Sequence, residues 1–208
     1  MARSKSSADW LKEHFNDEYV QLSQKEGYRS RAVYKLIELQ DKYNIINPGD
    51  TVVELGAAPG SWTQYIAKLV GKKGQVIALD LLQMNPIPGV TLIQGDFMDD
   101  MVYQELLEQE GSNGINCILS DMRENTTGVE KVDQLKAMHL SECIVDFAMT
   151  SLSNGGRLLF KAFQGPGFDN LLSDLKKNFS KVSVRKPDAS RSRSKELFIL
   201  AVGYSGKT

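Results

Sequence analysis

The chain has 208 residues, 41% hydrophobic and 25% charged, and its 25 Lys/Arg against 26 Asp/Glu leave a formal net charge of −1. These are values of a globular domain and exclude a wholly disordered, collagen-like or coiled-coil chain. No apolar run reaches the ~18 residues of a membrane span, no apolar block follows the opening Met1–Ser7 as a signal peptide requires, Cys117 and Cys143 read as reduced thiols of a cytoplasmic protein, and His14 and His139 without paired cysteines argue against structural zinc.

Residues 1–28 are polar with scattered aromatics (Trp10, Phe15, Tyr19, Tyr28) and read as an N-terminal extension; residues 29–208 read as a single domain. Val33, Leu36, Ile37 and Leu39 recur at helical spacing, which predicts a helix over Arg31–Tyr43, and Asn47-Pro48-Gly49-Asp50 is a turn. An alternation follows. Thr51–Leu55 is a strand that ends in a glycine-rich loop, and Trp62–Val70 is a helix. Gln75–Asp80 and Val90–Gln94 are strands, Met101–Glu110 a helix and Ile115–Ser120 a strand. Val132–Leu152 is a long apolar-striped helix, Gly156–Phe163 a strand and Asp169–Asn178 a helix. Lys181–Arg185 and Leu197–Val202 close the chain as strands. Short apolar strands alternating with helices predict a doubly wound α/β sheet of seven strands with helices on both faces. The last two strands are joined without a helix, which predicts a hairpin and hence one antiparallel strand in an otherwise parallel sheet.

Charge is unevenly spread. Lys181–Lys195 carries six Lys/Arg against Asp188 alone, and Asp96–Glu110 carries six acids and no base. Such a distribution gives the molecule a basic face able to meet phosphates, although a solvated turn would look the same.

Open α/β sheets bind ligands beyond the carboxyl ends of their strands. The first such end is Val53-Glu54-Leu55-Gly56-Ala57-Ala58-Pro59-Gly60-Ser61-Trp62. Gly56 permits a tight turn, and Gly60 stands at the helix entrance, where a side chain would obstruct. The Gly-x-Gly-x-x-Gly of a dinucleotide site is absent, since Pro59 interrupts the loop, and so is the Gly-Lys-Ser/Thr of a phosphate loop. Asp80 ends the second strand, where a carboxylate suits a ribose diol. Asp96 ends the third, where a carboxylate suits an adenine amino group with Phe97 against the ring. Together they describe a nucleoside without a pyrophosphate, which points to S-adenosylmethionine. Four further ionisable residues stand where this fold places chemistry: Lys35 on the leading helix, Asp121 after the fourth strand, Lys161 at the end of the fifth, and Glu196 opening the last. Lys161 follows Leu158-Leu159-Phe160 and is expected to be half buried.

On these residues the sequence resembles the FtsJ family of RNA ribose 2′-O-methyltransferases, the RrmJ or RlmE group. The likeness runs from about Tyr28 onward, through Tyr28–Leu36, Glu54–Trp62, Gly95-Asp96-Phe97, Ser120-Asp121-Met122, Lys161–Gly165 and Ser190–Glu196. The resemblance implies a Lys-Asp-Lys-Glu catalytic tetrad, here Lys35, Asp121, Lys161 and Glu196, and contacts to S-adenosylmethionine from Gly56, Gly60, Ser61, Trp62, Asp80, Asp96, Phe97 and Asp121. It implies as substrate a uridine in the A-loop of bacterial 23S rRNA within the large ribosomal subunit; from the sequence features the protein is expected to be cytoplasmic, without membrane or metal, and a monomer. The transfer- and cap-RNA 2′-O enzymes share the tetrad, and a non-catalytic assembly factor on the same fold is the other reading; the short N-terminal extension favours the ribosomal enzyme. RNA is expected against a basic surface of Arg29, Arg31, Lys35, Arg191, Arg193 and Lys195. One departure stands out: where the family usually has Ala-Pro-Asn after Ser-Asp-Met, this chain has Arg123-Glu124-Asn125, without the proline that would fix the loop backbone.

Overall fold

The computed structural model describes residues 17–109, 114–123, 127–191 and 194–206. Arg193, the Glu124-Asn125 pair, and Trp10, His14 and Phe15 of the N-terminal extension lie outside them. Seven strands form one sheet: β1 (Thr51–Leu55), β2 (Gln75–Asp80), β3 (Val90–Gln94), β4 (Ile115–Ser120), β5 (Leu152–Phe163), β6 (Phe179–Arg185) and β7 (Glu196–Tyr204). Their order is β3-β2-β1-β4-β5-β7-β6. β7 runs antiparallel to both β5 and β6, and the pairs among β1 to β5 are parallel. This is the mixed sheet that the helix-less final connection predicts. The helices are α1 (Glu18–Glu26), α2 (Val33–Tyr43), α3 (Ser61–Val70), α4 (Asp100–Glu108), α5 (Glu130–Ser151) and α6 (Phe168–Asn178).

Period-two alternation sorts the strand residues between two cores. Val53, Leu55, Ile77, Ile118 and Phe160 face α4, α5 and α6 through Leu106, Ile144, Phe147 and Leu175. Val52, Val76, Leu119, Leu159 and Phe198 face α2 and α3 through Leu36, Leu39, Trp62 and Ile66. Each such side chain, fully buried, contributes roughly 1.5–3 kcal/mol. The helices thus lie on both faces, and the order turns back at β1/β4, the crevice where ligands enter sheets of this kind.

The N-terminal extension holds an unforeseen helix. Asp17 caps α1 by accepting from Tyr19 N, and Gly27 ends it in the left-handed region. Tyr19 packs on Tyr34 of α2 with ring centroids 5.4 Å apart, so the described part of the extension is docked on the domain. Helix boundaries otherwise shift by a residue or two from expectation. β5 starts four residues early, because Leu152 pairs with Ile115 across an irregularity in the ladder. No helix among the described residues is long and apolar enough to cross a membrane.

Candidate active site

β1 ends at the switch point, and the loop after it turns on Gly56 (φ +78°) and Gly60 (φ +101°), with a cis peptide at Ala58–Pro59. A Cβ on Gly56 would stand 2.2 Å from Met122 Cγ, and one on Gly60 would stand 2.6 Å from Arg29 Nη1. Both positions need glycine for their left-handed conformation, and Gly56 also for space, since Met122 backbone lies close as well. Asp80 organises the loops on either side of it: Oδ2 accepts from Ala58 N at 2.8 Å and Oδ1 from Leu82 N at 2.8 Å. Asp96 is exposed and its Oδ1 accepts from Met98 N. Asp80, Asp96 and Asp121 thus stand at the ends of β2, β3 and β4, around the glycine loop.

Three residues assigned to this site in the sequence reading turn their side chains elsewhere. Phe97 does not present its ring to a ligand; it lies edge-on against Phe147 in the α5-side core. The Trp62 indole packs on Phe198, and its Nε1 donates to Ala32 O at 2.7 Å. Ser61 is buried, with its hydroxyl 2.7 Å from that of Ser30. All three sit next to the glycine loop or a strand end, where apolar and small polar side chains turn inward to support the backbone that faces the ligand.

Glu54, in the middle of an otherwise apolar strand, is a feature the sequence reading passed over. It is 2% exposed and accepts from Thr63 Oγ1 at 2.6 Å. Burial pushes its carboxyl up to about 8; the Thr63 hydrogen bond works against the rise, and the neighbouring Asp121 and Asp80 add to it. A charge letter inside the run Val52-Val53-Glu54-Leu55 was the signal available.

The four tetrad residues meet across the α2 side of the sheet. The β4–β5 register pairs Ser120 with Phe160, which brings Asp121 beside Lys161. The β5–β7 register pairs Phe163 with Glu196 and Lys161 with Phe198, so all four of these share one face. Lys161 Nζ donates to Asp121 Oδ1 at 2.9 Å and to the Asp121 carbonyl at 2.5 Å. Lys35 Nζ stands 2.8 Å from Glu196 Oε1, 3.6 Å from Asp121 Oδ2 and 5.6 Å from the centre of the Phe198 ring. Lys161 is 8% exposed, more buried than its place in the sequence implied. Burial would raise the Glu196 carboxyl, yet it lies below its ordinary value, because the Lys35 charge and hydrogen bond, with Lys161 behind them, outweigh desolvation.

Beside the tetrad opens a cleft of about 920 Å³. Ser30, Arg31, Ala32 and Lys35 line it together with Glu130, Asp133, Gln134 and Ala137 of α5, with Phe163 at the end of β5 and Gln164 after it, and with Arg191, Ser194 and Lys195 beside Glu196. Asp133 gathers Thr127 N, Thr127 Oγ1 and Gly128 N, which orders the chain into α5. The expected basic surface is only partly here. The Arg31 guanidinium is bound to Asp17 and donates to Ala189 O at 2.5 Å. That of Arg29 donates to three backbone carbonyls and is absent from the cleft lining. Arg191, Lys195 and Lys35 line the cleft, and so does Arg123, the residue that replaces the family's usual alanine.

The model of the FtsJ-like methyltransferase family matches residues 28–204. The chain is 50% identical over 208 residues, the whole of both chains, to ribosomal RNA large subunit methyltransferase E of Pseudomonas fluorescens (strain Pf0-1), and 50% identical over 207 residues to the protein of that name from Pseudomonas aeruginosa PAO1. Among experimental structures, a ribosomal RNA methyltransferase from Plasmodium falciparum aligns with a TM-score of 0.75 and 32% identity over 86% of this chain and 100% of that one. Fibrillarin from Aeropyrum pernix, with S-adenosyl-L-methionine natively bound, shares the fold at a TM-score of 0.56 and 14% identity, over 84% of this chain and 75% of that one. The family model covers most of the chain and the full-length relatives are 50% identical to it: the chain belongs to the FtsJ-like methyltransferase family.

Proposed function

We propose that this methyltransferase uses S-adenosylmethionine to methylate the ribose 2′-hydroxyl of a uridine in the A-loop of 23S rRNA, within the large ribosomal subunit. The observation that carries this reading is the Lys35–Asp121–Lys161–Glu196 network beside a cleft edged by Arg123, Arg191 and Lys195. The full-length relatives named for the large-subunit RNA support the target.

The residues present fit the cofactor. Two glycines at positive φ turn the loop tightly after β1, and three carboxylates stand at the ends of β2, β3 and β4, where hydroxyls, an amino group and a cationic centre find acceptors. Gly56–Gly60 backbone, Asp80, Asp96 and Asp121 would hold it. When bound, it supplies a methyl on a sulfonium, already activated for displacement. The protein then has to bring a weak nucleophile into line and manage its proton. Positioning of this kind is worth ~7–11 kcal/mol of barrier. Lys161 Nζ, already bonded twice to Asp121, keeps one hydrogen-bonding direction for the 2′-oxygen. Asp121 sits between the two lysines and holds Lys161, and Glu196 holds Lys35, so the network fixes Nζ in place before RNA arrives. The cleft cations would meet the flanking phosphates.

The test is transfer of tritiated methyl to large subunits from cells lacking the activity, followed by mapping of the modified nucleotide. One methyl per subunit on a uridine ribose of the A-loop is the expected result. Label on a base, or at another site, or no label at all, overturns the assignment.

A further inference from the structure

Arg29 lies six residues before the tetrad lysine, yet its guanidinium is directed to the cofactor side. Nη1 donates to Pro59 O at 3.0 Å and to Asn85 O at 2.9 Å, and Nη2 donates to Pro86 O at 3.2 Å. Pro59 belongs to the glycine loop. Asn85 and Pro86 belong to the β2–β3 connection, residues 81–89. That connection carries two prolines, Pro86 and Pro88, which lack an N–H, and it contains no helix to pair its carbonyls. Its start is held by Leu82 N on Asp80, and its end by Val90 N on Ile87 O. Between those two anchors, Arg29 supplies the donors.

The connection also lies against the loop. Met84 Sδ and Ile87 Cδ1 come within 3.1 and 3.2 Å of where a Cβ on Gly60 would be. Arg29 itself is fixed by its backbone: its N–H donates to Gln64 Oε1 at 2.9 Å, and Gln64 Nε2 donates to Gly27 O at 3.1 Å. A planar fork of five donors suits three carbonyls from two loops; an ammonium on a flexible stem does not.

We infer that Arg29 is a positioning residue of the cofactor site, not an RNA contact: it ties the 81–89 connection to the glycine loop, so that Asp80 and the Gly56–Gly60 turn are held in their binding arrangement. The inference rests on the methyltransferase reading above.

The experiment measures binding of S-adenosylmethionine and its demethylated product by calorimetry, to the full chain and to Arg29→Ala and Arg29→Lys. Both variants should bind each compound about tenfold more weakly or worse, the scale expected when charge-assisted hydrogen bonds are lost. Lysine should not rescue, whereas free guanidinium in millimolar amounts should partly restore Arg29→Ala. In hydrogen exchange, the non-proline amides of residues 57–60 and 81–89 should open faster in Arg29→Ala while the strands keep their protection. The salt dependence of RNA binding should match the parent protein. Unchanged cofactor affinity in Arg29→Ala overturns the inference, and so does a salt slope flattened by about 0.7, the share of one single-strand phosphate contact. If Arg29→Ala does not fold, Arg29→Gln is measured the same way, and slow exchange at 81–89 in that variant counts against the inference. Failure of the parent protein to bind either compound would sink the cofactor reading itself, an outcome distinct from equal binding by parent and variant.

Discussion

The two sides of the switch point are built by different means. On the β1–β3 side, carboxylates are tied to nearby backbone: Asp80 to Ala58 and Leu82, Asp96 to Met98, Asp99 to Met101. On the β4–β7 side, charged side chains are tied to one another across long stretches of chain, Lys161 to Asp121 and Lys35 to Glu196. Backbone-held acids are set mostly by turns two residues long, with Asp80 also reaching across to Ala58 of the glycine loop, and each is held independently of the others. The side-chain network exists only once α2, β4, β5 and β7 are assembled, and its members stand or fall together. On the function proposed above, the first side would hold most of the cofactor, and the second would place the reacting oxygen, with Asp121 shared between the two tasks.

The comparison breaks most sharply at Lys161. Lys161→Ala should reduce methyl transfer by three orders of magnitude or more, the scale of lost proton management and alignment together, while binding of S-adenosylmethionine changes by less than threefold. Single-turnover transfer and calorimetry on one preparation check both halves. Because the network acts as a unit, a Lys161→Ala/Glu196→Ala double variant should be little slower than Lys161→Ala alone. Fully multiplicative losses, or a Lys161→Ala enzyme within about tenfold of the parent, would mean that the four residues do not work together.

A smaller effect sharpens the comparison at the cleft mouth. Arg191→Ala and Lys195→Ala should each flatten the salt dependence of RNA binding by about 0.7 on a log–log plot, if each neutralises one phosphate. Cofactor affinity should not move. Arg31→Ala should behave differently, since its guanidinium is already bound to Asp17 and to the carbonyl of Ala189. It should loosen α1 and the segment before β7, seen as early proteolysis. The Lys195–Glu130 pair, 3.8 Å apart with both side chains largely in solvent, should add nothing measurable to stability.

Legibility from sequence follows the same division. The strands β1 to β4 were readable to the residue, because each is a short apolar run bounded by turn residues, and Asp80 and Asp96 stand out as the first acids past such runs. The tetrad was legible as four conspicuous residues, but nothing local says that Lys35 reaches Glu196 across 161 positions; only the β5–β7 register and the packing of α2 bring them together. The partners of Arg29 and Arg31 were illegible for a related reason. A cation in a basic stretch looks the same whether its partners are phosphates or carbonyls far along the chain. The packing of Phe97 and Trp62 was illegible because an aromatic beside a ligand loop serves equally well as the packing beneath it. The α1 helix was missed because its apolar face is short: Val20 and Ser23 are its only buried residues.

Glu54, on β1 but tied to a side chain rather than to backbone, offers the mildest test. It lies within β1, one residue before the strand ends, hydrogen-bonded to Thr63 and within the influence of Asp121 and Asp80. Burial, reinforced by those two acids, lifts its carboxyl from 4.5 to about 8 in the folded protein. The native state therefore binds this proton more tightly than the unfolded chain does, and the stability it confers is fully present below pH 4.5. As pH rises from there the unfolded chain releases the proton first, so stability drains away until about pH 8, where the folded group ionises too and the loss levels off. Glu54→Gln keeps the shape and a partner for Thr63 but has no proton to lose. Its melting temperature should fall less than that of the parent between pH 5 and 8, by about 2–4 °C for each kcal/mol of linkage removed, and the two curves should diverge most near pH 8. Parallel curves across that range would show that the carboxyl is ionised in the folded state, with a cation beside it that the Asp80 and Asp121 surroundings do not provide.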